Sequence, residues 1–307
     1  MENRVLIMII EIIITAALIS GLIFLLLLSQ FYLFELLLVA ALLGGYSYFI
    51  ERNALEITRP EIRLNCLSTD IKEKIALLSD LHFNAKTSKI QINKLLASLK
   101  ESKPEVVFII GDLIDKKDGI RVVGDFVRKI TGSASAKVYI VLGNWDYFAL
   151  KYNINDLKKE LKYSGAEVLM NESKIIRIGS LDFNLIGIKA PYTGQNIKND
   201  LTESIARVKN NDLCKILLTH SPESINEAVL KNIDLVLAGH THGGQVYVPF
   251  LTRLVIPTKF AFKKYIKGIY KVGDSILYVN RGIGTSTLPL RFLSLPELTI
   301  LSLTQNK

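Results

Sequence analysis

Four histidines occur in this chain of 307 residues, and each lies just past the end of an apolar run. His82 follows Ile75-Ala76-Leu77-Leu78-Ser79 and sits two residues after Asp80. His220 ends Ile216-Leu217-Leu218-Thr219. His240 and His242 follow Asn232-Ile233-Asp234-Leu235-Val236-Leu237, across Ala238 and Gly239. Short runs rich in leucine and β-branched residues, stopped by glycine or a polar residue, read as buried strands. Surface histidines would be placed without regard to strand ends. A shared site explains the placement better, and it requires a fold that brings several strand tips to one edge. In an extended chain residues two apart share a side. That spacing predicts that His240 and His242 face one way, and likewise Asp80 and His82.

Two more strand ends carry residues of the same kind. Gly111-Asp112 follows Val107-Phe108-Ile109-Ile110, and Gly143-Asn144 follows Tyr139-Ile140-Val141-Leu142. Between these strands, helical spacing of apolar residues predicts helices over 87–102, 122–130 and 155–163. Strands joined by helices imply a parallel sheet covered on both faces. After Gly165 the strands crowd together, at 167–170, 174–178 and 183–188, with Gly179-Ser180 as a hairpin turn. A helix near 200–209 and strands at 265–272, 275–279 and 298–303 complete the pattern. The expectation is one α/β domain over residues 72–307, with two sheets packed face to face. Ligands collect at the carboxyl ends of strands in such sheets. Asp80, His82, Asp112, Asn144, His220, His240 and His242 offer too many nitrogen and oxygen donors for one tetrahedral ion, but they suit two ions sharing a carboxylate.

The ordered series Asp-x-His, Gly-Asp, Gly-Asn, His and Gly-His-x-His resembles the calcineurin-like metallophosphoesterases, over roughly residues 72–304. Within them the likeness is to membrane-associated bacterial members. Asn280-Arg281-Gly282-Ile283-Gly284-Thr285, Leu288-Pro289-Leu290-Arg291-Phe292 and Pro296-Glu297 look like that subgroup's C-terminal signature. The resemblance implies a four-layer α/β/β/α sandwich. It implies that Asp80, His82 and His242 hold one divalent ion, that Asn144, His220 and His240 hold a second, and that Asp112 bridges them. It further implies an ion pair roughly 3.5–4 Å apart serving hydrolysis at phosphorus. The donor set suits Mn, Fe or Zn.

One position departs from the family pattern. A histidine usually follows the asparagine and is held to steady the transition state or protonate the leaving group; here the run is Gly143-Asn144-Trp145-Asp146. An indole can donate one hydrogen bond but cannot pass a proton. Either the natural leaving group needs no acid, as in a pyrophosphate, or turnover is slow and the site mainly binds.

The N-terminal fifty residues are of another kind. Residues 5–28 and 31–50 are almost wholly apolar, broken by Glu11, Thr15 and Glu35 and separated by Ser29-Gln30. Each run is near the length that spans a bilayer. The expectation is a transmembrane helical hairpin over 1–50, with one long re-entrant or interfacial element as the alternative, then a polar connector over 51–71, and therefore a multi-pass protein of the cell membrane. Arg4, Arg52, Arg59 and Arg63 flank the hairpin ends, which places the catalytic part in the cytoplasm by the positive-inside rule. Cys66 and Cys214 have no pairing or metal-binding spacing, read as free thiols, and favour a reducing compartment.

Net charge is +9, and Glu2, Arg4, Glu11 and Glu35 contribute −2, which leaves +11 beyond residue 50. That suggests a phosphorylated small-molecule or lipid-linked substrate, or anionic headgroups at the membrane. The stretch 253–271 interleaves Lys259, Lys263, Lys264, Lys267 and Lys271 with Phe260, Phe262, Tyr265 and Tyr270. It reads equally as a membrane-resting flap and as a basic hairpin with its aromatics inward. Arg281 and Arg291 are candidate phosphate clamps, with exposed salt bridges as the alternative. The functional expectation is a membrane-anchored phosphodiesterase or pyrophosphatase acting on a lipid or envelope precursor; some membrane members of the family cleave the pyrophosphate of UDP-diacylglucosamine. A nuclease and a metal-stabilised membrane binding protein are the alternatives, with nucleic acid the disfavoured partner. Oligomeric state has no signal in the sequence.

Overall fold

The computed structural model describes residues 2–133, 136–190, 197–249, 252 and 262–306. Helix α1 (Glu2–Gly45) is a single run of 44 residues, continued by a π turn at Tyr46–Ile50 and a 3-10 turn at Glu51–Asn53. The expected hairpin is therefore corrected to one helix, and a multi-pass topology loses its basis. Ser29 and Gln30 fail as a turn because neither breaks a helix. The Ser29 hydroxyl simply donates to the Leu26 carbonyl one turn back. At 1.5 Å per residue the helix is roughly 66 Å long, about twice a hydrocarbon core. It is long and apolar enough to cross a membrane and is compatible with an anchor.

The remainder, from Ile50 to Lys307, forms a separate compact unit. It opens with β1 (Glu56–Thr58) and β2 (Glu61–Leu64), both inside the expected connector. Then come β3 (Ile75–Leu78), α2 (Lys89–Ser102), β4 (Val106–Ile110), α3 (Gly119–Ser133) and β5 (Lys137–Val141). The short helix α4 (Asn144–Ala149), α5 (Asn155–Tyr163), β6 (Ala166–Val168), β7 (Glu172–Ile178) and β8 (Leu181–Gly187) follow. The chain continues through α6 (Ile197–Ile205), β9 (Lys215–Leu218), α7 (Ile225–Leu230) and β10 (Leu235–Ala238). It closes with β11 (Gly268–Val272), β12 (Ser275–Val279) and β13 (Glu297–Gln305).

One sheet has the order β1-β13-β3-β4-β5-β6, with β2 also paired to β13; the other has the order β11-β12-β10-β9-β8-β7. The connector was unreadable as strand because its pairing partner is distant. The nine residues of β13 accept β1 beside Glu297–Thr299 and β2 beside Ser302–Gln305, with Pro60 between the two. Strands β3 to β6 are mutually parallel, as are β8, β9, β10 and β12, and the tips of both sets meet where His82 faces His242 and Asp112 faces His220.

Alternation builds the layers. In β4, Val106, Phe108 and Ile110 point into the core between the sheets, against Phe183, Ile216 and Leu237. Val107 and Ile109 point the other way, into a core formed with α2, α3 and α5 through Leu95, Phe126 and Leu157. The second sheet does the same with α6 and α7, through Leu201 and Ile225. The result is helix, sheet, sheet, helix, as expected.

Cys66 and Cys214 form a disulfide, Cα to Cα 5.4 Å, across a sequence separation of 148. This corrects the free-thiol reading and removes its argument for a reducing compartment. Local spacing held no signal because the pairing follows from sheet packing: Cys66 lies just past β2 in one sheet, and Cys214 just before β9 in the other.

Candidate metal centre

The seven sequence-selected residues converge, but not through extended backbone. Asp80, His82, Asp112, His240 and His242 all have positive φ, between 48° and 71°. Non-glycine residues seldom adopt this conformation, and the gathering of five of them at one place shows backbone strain held at the site. His242 begins a 3-10 turn. The period-2 argument for His240 and His242 is therefore corrected: each strand stops, the chain turns left-handed, and the side chains swing back over the strand tips.

Glycine makes the turns possible. Gly111 has φ +82°, and a Cβ there would stand 2.4 Å from His220 Nδ1. A Cβ on Gly143 would stand 2.1 Å from Asp112 Oδ1. Gly111 thus makes room for the His220 ring and Gly143 for the Asp112 carboxylate.

Two trios of donors result. Asp80, His82 and His242 form one, and Asp112, His220 and His240 the other. His82 Nε2 and His242 Nε2 are 3.2 Å apart; His240 Nδ1 and His220 Nε2 are 3.1 Å apart. Nitrogens bound to one ion at 2.0–2.1 Å stand roughly 3–3.4 Å from each other, so the spacing fits a shared cation. Asp112 Oδ2 lies 3.2 Å from His220 Nε2 and 3.7 Å from His82 Nε2, between the trios. Asn144 opens α4 and lines the same cavity as Asp112 and His240. A third group, Cys66, Cys214 and Asp234, is excluded because its sulfurs are bonded to each other.

In the metal-free protein the His220 proton answers the Asp112 carboxylate, and a metal ion would bind by displacing it. Burial pushes the Asp112 carboxyl up, but His220, His82 and His240 together hold it below the usual range. Burial pushes His220 down, yet Asp112 and Asp80 raise it to about 10. His242 is lowered to about 3, chiefly by burial, and so presents a neutral imidazole suited to a metal.

Supporting residues orient the donors. His220 Nδ1 is 3.0 Å from the Ile110 carbonyl, which fixes one ring proton there and turns Nε2 toward the centre. His82 Nδ1 is 3.2 Å from Asp115 Oδ1. The Asp80 carboxylate accepts the His240 amide, and Asp112 Oδ1 accepts the Trp145 amide at 2.7 Å. Asp146, fully buried, accepts from the amides of Leu113, Ile114 and Gly143, tying two strand tips together. Burial pushes its carboxyl up to about 7, with Asp112 adding to the shift. Sequence reasoning missed Asp115 and Asp146 as supports. Asp146 stood in plain view after Asn144-Trp145, whereas Asp115 had no signal.

The arginine clamps are not where a phosphate clamp needs them. The Arg291 guanidinium is fully buried and donates to the carbonyls of Arg281, Gly282, Gly284 and Ser294. Arg281 pairs with Glu56 at 2.6 Å and Glu297 at 3.2 Å. This corrects their assignment: both guanidiniums are occupied in holding the C-terminal loop. Of the aromatic and basic stretch, residues 253–261 lie outside the described residues. Tyr265 is buried and Phe262 packs beside it in the outer core of the second sheet, which favours the inward hairpin for that part.

Trp145 stands over the centre, its ring centroid 6.0 Å from that of His82. Its Nε1 donates to the Asp115 carbonyl at 3.3 Å. A cavity of about 400 Å³ opens here, lined by Asp112, Asn144, Trp145, His240, Val246 and Leu288 among others.

Residues 73–244 match the model of the calcineurin-like phosphoesterase family. The metallophosphoesterase YkuE of Bacillus subtilis is 30% identical over 274 residues, covering 85% of this chain and 90% of YkuE. The phosphodiesterase YaeI of Escherichia coli is 28% identical over 261 residues, covering 84% of this chain and 92% of YaeI. A Thermus thermophilus protein of solved structure aligns at TM-score 0.47 and 15% identity, covering 69% of this chain and 90% of that one. The chain belongs to the calcineurin-like phosphoesterases, hydrolases of phosphoesters that use a dinuclear divalent metal centre.

Proposed function

We propose that this protein is a membrane-tethered phosphodiesterase or pyrophosphatase whose substrate is lipid-linked and carries a good leaving group. The observation that carries this is Trp145. The position after Asn144 holds a side chain that cannot transfer a proton, and its single N–H already serves the Asp115 carbonyl. Apart from the metal donors Asp112, His240 and His242, the described residues of the cavity wall (Thr241, Gly244, Gln245, Val246, Ser286, Thr287 and Leu288) hold no group that titrates near neutral pH. A phosphate or acidic alcohol can leave without a proton; a simple alkoxide cannot do so at speed.

The trios Asp80, His82, His242 and Asp112, His220, His240 would each hold a divalent ion, which would supply an acidified water and neutralise phosphoryl charge. The chain's own part is to hold the donors. Ile110 and Asp115 fix the ring orientations of His220 and His82, while Asp112 serves both trios. The name of YaeI supports diester chemistry. The apolar helix α1 and the charge of +11 beyond residue 50 support a substrate met at a membrane.

The test is turnover by the purified full chain with Mn²⁺, offered a bis-aryl phosphodiester, a nucleotide-sugar pyrophosphate and single-stranded DNA. Hydrolysis of the first two without the third is expected. Preference for DNA would replace this reading with a nuclease. Metal retained without any turnover would leave a binding protein.

A further inference from the structure

We infer that the loop from Gly284 to Ser294 is the rim by which this protein touches lipid, and that it passes a lipid-borne phosphate ester into the cavity beside Trp145. This rests on the lipid-linked reading above and names the surface that serves it.

The loop borders the centre on two sides. Ser286, Thr287 and Leu288 wall the cavity of about 400 Å³ that Trp145 and Val246 share. Thr285 and Pro289 wall a second cavity, of about 230 Å³, which reaches His82 and is flanked by Arg52, Lys86 and Lys116. A phosphate ester lying across the centre would therefore have this loop along its length.

The loop is held firmly. Arg291 ties its carbonyls from beneath, and the Gln245 amide bonds to Ser286 N, Ser286 O and Leu288 O. Despite this support it keeps two leucines in water: Leu288 is 56% exposed and Leu293 is 54% exposed. Single exposed leucines are ordinary. Leu293 is not, because its φ of +53° is a conformation that strains a bulky side chain and that asparagine or glycine adopts easily. A strained, exposed, apolar residue on a rigid loop beside a catalytic cavity needs a use.

Chain connectivity supplies one. Glu51 and Arg52 are the first charged residues after Glu35, at the point where the apolar helical stretch ends. Both are bonded to this loop: Glu51 Oε1 accepts the Ser294 amide at 2.7 Å, and Arg52 donates to the Pro289 carbonyl at 3.2 Å. The first charged residues after the apolar stretch are thus fastened to the loop. Charge agrees, since Lys267 donates to the Leu293 carbonyl and Arg52, Lys86 and Lys116 line the second cavity with Pro289, cations suited to anionic headgroups. Leu288, Val246 and Trp145 share the cavity wall, and Leu293 stands exposed farther along the same loop.

The test uses the full chain in phosphatidylcholine–phosphatidylglycerol vesicles. An environment-sensitive dye on Leu293→Cys is specific, because Cys66 and Cys214 are already paired. Its emission is expected to shift to the blue and to be quenched by brominated acyl chains, while the same dye on Tyr163→Cys, at a residue 80% exposed on α5, stays accessible to aqueous iodide. Leu293→Asn removes the apolar group in a residue that tolerates the backbone. It should leave Tm and bis-aryl diester hydrolysis within twofold of wild type, and cut hydrolysis of a vesicle-embedded lipid phosphodiester at least tenfold. A dye at 293 that behaves like the one at 163, or equal loss on both substrates, would overturn the inference. Dye insertion with no lipid turnover by wild type would instead overturn the delivery step and the lipid-linked reading, leaving the contact itself standing.

Discussion

The indole N–H of Trp145 and the main-chain carbonyl of Asp115 are joined by a hydrogen bond of 3.3 Å, and this links the unusual residue of the site to a support of its metal donors. The Asp115 side chain meets His82 Nδ1 while its backbone holds the indole. Trp145 is therefore built in, not merely tolerated. Its ring packs edge-on against His82 and against Phe148.

Replacing Trp145 with histidine should restore proton donation to the leaving group. Rates on diesters with poor, alkyl leaving groups are expected to rise by about 10²-fold, the lower end of what a general acid contributes. Rates on activated aryl diesters should change by less than a few fold. The dependence of kcat on leaving-group acidity, steep in the wild type and flatter in Trp145→His, is the measurement. Parallel slopes would show that proton supply is not what Trp145 lacks.

Asp115 holds His82 from behind, and such outer partners typically contribute 10–100-fold to metal affinity. Asp115→Asn keeps the shape and the main-chain carbonyl that receives Trp145, but removes the charge. We expect metal affinity, titrated by calorimetry on the metal-free protein, to fall by about tenfold or more, with the folding midpoint nearly unchanged. A large drop in folding stability would identify Asp115 as a structural residue instead.

How much of this was legible follows from where each signal lies along the chain. Asp80, His82, Asp112, Asn144, His220, His240 and His242 each follow an apolar strand directly, so a local pattern marks them. Support residues are fixed by distant partners: Asp115 serves His82 across 33 positions, and Arg291 reaches carbonyls that only the folded loop assembles. The same reason hid β1 and β2, whose partner β13 is more than 230 residues away. Ser29-Gln30 misled in the opposite sense. Two polar residues between apolar runs look like a turn, but nothing in them stops an α-helix.

Glu297 gives a pH dependence with a definite sign. Burial pushes its carboxyl up, but Arg281, Thr58 and Tyr278 outweigh this and hold it below the ordinary glutamate value. A carboxyl depressed in the folded state stabilises the fold above its unfolded pKa, and that stability is lost as pH falls through the folded one. Breaking a buried pair at one partner costs about 3–5 kcal/mol. Glu297→Gln should therefore be less stable than wild type by about 3 kcal/mol at pH 7, with the gap narrowing below about pH 4. Urea unfolding of the two metal-free proteins at pH 7 and pH 3.5 gives the comparison. A gap independent of pH would assign the loss to packing.

The Cys66–Cys214 bond closes a loop of 148 residues between the two sheets, at the strand ends remote from the metal donors. Cross-linking so long a loop restricts the unfolded chain strongly, and native disulfides typically contribute about 2–4 kcal/mol. Reduction, or Cys66→Ser, should lower Tm by on the order of 5–15 °C for a domain of this size while leaving metal affinity within a few fold, since neither cysteine approaches the centre. The bond also bears on which side of a membrane the domain occupies, because disulfides persist in oxidising compartments, with hyperthermophile cytosol as the exception. Trapping free thiols in intact cells with an impermeant alkylating reagent, before and after reduction, reads both. Labelling that appears only after an impermeant reductant is applied outside would place the domain on the outer face. Thiols already free in untreated cells would show that the bond does not form where the protein works.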